Sequence, residues 1–64
     1  MPNTYKVYQR ELRVSGKNML ETWRPVSGEC SETDAQRWLA LSKRLEPDEV
    51  FCVCAKKPRA KRLP

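Results

Sequence analysis

The sequence contains no histidine and only two glycines. Without histidine no Ser-His or Cys-His pair exists, so the common ways of activating a hydroxyl or thiol nucleophile are absent. Gly16 and Gly28 form neither a GxGxxG nor a GxxxxGK[ST] motif, so no phosphate cradle of that kind is available. No apolar run approaches the about eighteen residues of a membrane span. The opening MPNTYKVYQREL lacks the apolar stretch of a signal peptide. The expected setting is the cytoplasm, with no membrane partner.

Cysteine is sparse and odd in number: Cys30, Cys52 and Cys54. An odd set is a poor disulfide framework, and no CxxC pair is present. Cys52 and Cys54 fall on one face of a strand, where a bridge between near neighbours is strained. Three thiols are one short of a structural zinc site. The expectation is three small hydrophobes in a reducing compartment, with no metal and no cofactor.

What remains is short and basic. At 64 residues the chain is one domain, and a domain of this size buries only roughly 60% of its unfolded surface. There is little protein to wall a deep cleft. Of the eight acids, Glu32, Asp34, Glu46, Asp48 and Glu49 sit at a helix start or around Pro47, where capping and solubility explain them. No enzyme is expected. The net charge of +5 is uneven. Residues 1–55 hold eight basic and eight acidic side chains, so Lys56, Lys57, Arg59, Lys61 and Arg62 supply the whole excess. The chain therefore divides into a domain over 1–55 and a flexible basic tail over 56–64.

Thr4–Val14 mixes aromatic, β-branched and charged residues at alternating positions and predicts a strand. Ser15–Asn18 is turn chemistry. Met19–Val26 predicts the returning strand, with Pro25 placing it at an edge or ending its regular part. Ser31 and Thr33 are both N-cap candidates for a helix whose stripe is Ala35, Trp38, Leu39, Ser42 and Leu45, widened by Leu41. Trp38 on that stripe reads as core. Pro47 stops the helix. Val50–Ala55 is six apolar residues in a row and predicts the third strand. The fold class is α+β, of ββαβ order. A three-stranded antiparallel sheet carries one helix on one face. Strand order 2-1-3 is expected and 1-2-3 is the alternative.

One helix covers one face, yet the first and third strands are apolar on both. The open face would expose some of Tyr5, Val7, Trp23, Phe51 and Val53, or their neighbours one position along. Such a patch marks a partner or dimer interface; the other reading has the tail or loops folding over it. Trp23 beside Arg24 has the composition of an interface hot spot, with sheet-face packing as the alternative. The stretch KKPRAKRLP suits a nucleic-acid or acidic-partner arm, and equally a terminus that keeps a neutral domain soluble.

The tyrosine-rich first strand, TWRPVSGECSETDAQRWL leading into the helix and the short VFCVCA strand resemble, in length and ββαβ order, very small proteins of bacteriophages and mobile elements. Among these are the T7-type inhibitors of host RNA polymerase and short anti-CRISPR proteins. The resemblance is one of layout. It implies a non-catalytic protein that occupies a surface of a host protein or nucleoprotein machine and inhibits or regulates it. Lys56, Lys57 and Arg59 follow the expected last strand and resemble, in position only, the arginines on the last strand of the T7-type inhibitors.

Two readings follow. The first is a protein-docking module using Tyr5, Val7, Trp23, Arg24 and Phe51, with a second copy of the chain as a further candidate partner. The alternative is a nucleic-acid-binding protein using Lys56, Lys57, Arg59, Lys61 and Arg62.

Overall fold

Alternating side chains and a Gly16 turn fold the first half of the chain on itself. In a computed structural model that describes residues 4–63, strand β1 (Lys6–Ser15) pairs antiparallel with β2 (Asn18–Pro25). The first three residues of the expected 1–55 domain and the last of the expected tail lie outside the described residues. Ser15 pairs with Asn18, leaving a two-residue loop of Gly16 and Lys17. Gly16 has φ 60° while Lys17 does not enter the positive region. Glycine at the first central position is what a type II′ hairpin requires.

Beyond Pro25 the chain keeps following β1. Val26 N–H donates to the Val7 carbonyl at 2.9 Å, Val7 N–H donates to Ser27 Oγ at 2.9 Å, and Tyr5 and Cys30 exchange backbone bonds. This path delivers Ser31 to the start of helix α1 (Glu32–Leu45), where its hydroxyl accepts from Asp34 N–H at 3.2 Å. Of the two N-cap candidates, Ser31 is the cap. Lys43 and Arg44 lie in the last turn, where the dipole favours cations, and Glu46 caps the helix just before Pro47. Strand β3 (Phe51–Cys54) then pairs antiparallel with the lower half of β1.

The sheet has a fourth strand, and the expectation of three is corrected. Strand β4 (Lys61–Leu63) pairs antiparallel with Met19–Glu21, giving the order β3-β1-β2-β4. The first strand lies between the second and third. Pro25 sits in the half of β2 that β4 leaves unpaired, where a missing N–H costs no ladder bond.

The helix packs on β1 and β3 only. The core beneath it is Val7, Ala35 and Phe51, flanked by Tyr5, Cys30, Leu39 and Val53. Val7 and Phe51 were expected on an open face. They are buried instead, because the helix covers the face that carries Tyr5, Val7, Phe51 and Val53. Trp38 was expected in the core and is 49% exposed. Ala35, Leu39 and Ser42 form the line that meets the narrow two-strand base, and Trp38 is turned aside to a groove with Cys30, Asp34, Arg37 and Leu41.

The opposite face carries Tyr8, which is only 4% exposed. The link from Cys54 to Lys61 explains this. Cys54 pairs with Lys6 at one edge, and Lys61 pairs with Glu21 near the other. Those points are separated by three strand spacings of about 4.8 Å and roughly six residues of strand length, a diagonal of about 24 Å. Seven extended residue steps reach about 23–25 Å. A nearly straight link is therefore required, and its direct path lies across the face that carries Tyr8. Pro58, half-buried in mid-link, suits the extended path. Part of the expected tail is thus an element of the fold.

Candidate binding surface

The β1–β2 hairpin extends past the helix, so its far half has two bare faces. Residues paired across a ladder share a face, which fixes the composition of each.

On the face away from the helix, Val14 pairs with Met19 and Met19 with Leu63, forming one row across three strands. The next row is Leu12, Glu21 and Lys61, and then come Arg10 and Trp23. Val14 is 75% exposed, Leu12 50% and Met19 42%, while Leu63 and Trp23 are half-buried. Arg10 Nη1 lies 3.7 Å from Glu21 Oε2 at the border of this apolar area. Exposed apolar side chains in adjoining rows make a continuous patch rather than scattered residues.

On the helix-side face of the same half, Arg13, Leu20 and Arg62 form a row, followed by Glu11 with Thr22 and Gln9 with Arg24. Glu11 is held between two arginines. Its Oε1 is 3.0 Å from Arg24 Nε, and its Oε2 is 3.5 Å from Arg13 Nη2. Arg24 Nη2 also donates to Gln9 Oε1 at 3.2 Å. At the unpaired part of β2, Lys57 joins Glu11, Arg13, Thr22, Trp23, Arg24 and Pro25 around a recess of about 250 Å³. Three cations and one acid line it, so it is cationic by two charges. Its arginine forks suit phosphate or carboxylate groups.

The expected site residues are therefore divided. Tyr5 is half-buried against the core, and Val7 and Phe51 are inside it. Trp23 lies on the open face, Arg24 on the opposite one, and Lys57 comes beside both at the recess. Lys56 and Arg59 are exposed on the crossing link. Lys61 and Arg62 point to opposite faces of β4. Leu12, Val14, Met19 and Leu63 were not singled out as partner-binding residues. Their signal was the alternation of β1 continuing past Tyr8 into a protruding hairpin.

The three thiols do not converge. Cys30 lies on the helix side, with Sγ 3.6 Å from the Tyr5 carbonyl. Cys52 and Cys54 lie on the other face, with their sulfurs 3.7 Å apart. Burial pushes the Cys52 thiol up to about 11, with the hydrogen bond to Cys54 and its charge adding to the shift. Among the described residues no three His, Cys, Asp or Glu side chains gather as metal ligands, and no helix is long and apolar enough to cross a membrane. No protein-family model, curated protein or solved structure matches this chain.

Proposed function

We propose that this chain is a small non-catalytic binding protein that docks on a partner protein through the open face of its hairpin. The observation that carries this reading is the patch of Leu12, Val14, Met19 and Leu63, continuous across three strands, with Leu12, Val14 and Met19 exposed. Trp23 and Arg10 border it, and tryptophan, methionine and arginine are the residues enriched at protein interfaces. The positive excess of the last strand and link favours a partner with acidic groups around an apolar centre, and steers its approach. The protein then acts by occupying a surface, as an inhibitor or regulator does. Photo-crosslinking from position 12 tests this. One partner should be captured, and V14D and M19D should release it while leaving the circular dichroism spectrum unchanged. Capture that is indifferent to both substitutions overturns the reading.

A second reading rests on the cationic recess. Arg13, Arg24 and Lys57 beside Trp23 combine phosphate ligands with an aromatic plane, the pairing used on single-stranded nucleic acid. Fluorescence anisotropy with a labelled single strand and a labelled duplex, at low and near-physiological salt, decides it. Binding that survives near-physiological salt and is lost in an R13A/R24A/K57A variant supports it. Binding that vanishes with modest salt removes it.

A further inference from the structure

The edge strand β3 carries two thiols on one face, and neither the docking surface nor the core beneath the helix uses them. We propose that Cys52 and Cys54 form a two-thiolate site for a soft, low-coordinate monovalent metal ion of the copper(I) class. Their sulfurs are already 3.7 Å apart in the folded chain. Two ligands bonded in line to one ion at about 2.3 Å stand about 4.6 Å apart. The folded strand brings the pair within about 1 Å of that span, and side-chain rotation that parts the sulfurs, rather than backbone movement, closes the difference.

The number and kind of ligands select the ion. Among the described residues no third histidine, cysteine or carboxylate joins the pair. A closed zinc site takes four ligands and has only two here. Thiolates are soft, and soft ligands favour copper(I) over the hard divalent ions. A bis-thiolate complex of a monovalent ion carries one negative charge. Lys6 pairs directly with Cys54 across the ladder and lies on the same face, so a cation is in place beside it. Both cysteines are half-buried, which limits access of water and oxidant.

The competing use of such a pair is a disulfide. Alternate residues of a strand stand about 6.6–6.8 Å apart at Cα. That is the upper end of the range a disulfide accepts. A bridge would pucker β3 where it pairs with Lys6 and Tyr8. Ligation leaves the strand as it is.

The test uses the full reduced chain under anaerobic conditions, with copper(I) supplied as its coloured bathocuproine disulfonate complex. The chain should withdraw one equivalent of copper(I), read as loss of the chelate colour. C30S should match the parent, and C52S and C54S should each lose the withdrawal. Mass spectrometry after iodoacetamide treatment checks the parent without any substitution. Copper(I) should protect Cys52 and Cys54 and leave the labelling of Cys30 unchanged. No withdrawal of colour overturns the proposal. So does equal loss in C30S. Half an equivalent per chain would assign the metal to a site shared between two copies and overturn the single-chain site.

Discussion

Glu11 and Arg24 face the same side of adjacent strands, with carboxylate Oε1 3.0 Å from guanidinium Nε. The same carboxylate reaches Arg13 on its own strand at 3.5 Å. Both arginines are more than half exposed, so these pairs contribute only about 0–1 kcal/mol to stability. Their effect lies in the charge of the recess. Glu11→Gln should change the urea midpoint little and make the recess more positive by one unit. If the recess binds phosphate, single-strand affinity rises, and the log–log salt slope deepens by about 0.7 for each added contact. An unchanged slope would show that freeing Arg13 and Arg24 from Glu11 adds no phosphate contact.

The core is small enough for single side chains to dominate stability. Val7 is fully buried between β1 and α1, and Phe51 is nearly so. Phe51→Ala should cost about 3–5 kcal/mol, a large share of what a domain of this size possesses. Trp38→Ala, at a half-exposed position, should cost far less. Urea titrations of the two variants compare them directly. If Trp38→Ala proves the more damaging, the helix packs through a different face.

The hairpin, the helix with its cap at Ser31 or Thr33, and the third strand were legible because each rests on local chemistry. Gly16 marks the turn, Ser31 precedes the acidic first turn, and Pro47 and Pro58 bracket an apolar run. The placement of β1 between its neighbours followed from connection rules. What stayed hidden was global. Both faces of β1 are apolar, so alternation alone did not say which one the helix takes. The open face was therefore offered as that of Val7 and Phe51 or of their neighbours one position along, and the helix takes the face of Val7 and Phe51. The narrow base under α1 turned Trp38 outward, and no helical period encodes the width of a sheet. Strand β4 is three residues long and mostly charged, so its only signal is a place to pair. The exposed patch became visible once β4 set Leu63 beside Met19.

The link and β4 should contribute to folding, not only to charge. A chain ending at Ala55 keeps every residue of the core cluster but uncovers Tyr8 and the upper edge of β2. Fully exposing one large side chain costs about 1.5–3 kcal/mol. The 1–55 chain should therefore melt at a lower temperature and show stronger iodination of Tyr8. Equal melting temperatures for both chains would mean that residues 56–63 add charge and nothing else.

The thiol pair predicts a loss of stability in alkali. Cys52 holds its proton more tightly in the folded chain than in the unfolded one, because burial and the Cys54 sulfur oppose the thiolate. The folded value stands at about 11 against an ordinary 9.0. Above pH 9 the unfolded chain releases a proton that the folded chain keeps, so the unfolded state binds fewer protons and gains on the native one. The contribution of Cys52 is complete below the unfolded value and is lost as pH rises through the folded one. Lysines and tyrosines also titrate in alkali, so the parent must be compared with C52S at each pH. The urea midpoint of the parent should fall more steeply than that of C52S between pH 9 and 11. Parallel curves would show that the thiol ionises as freely in the fold as outside it, and that the Cys52 side of β3 is open to water.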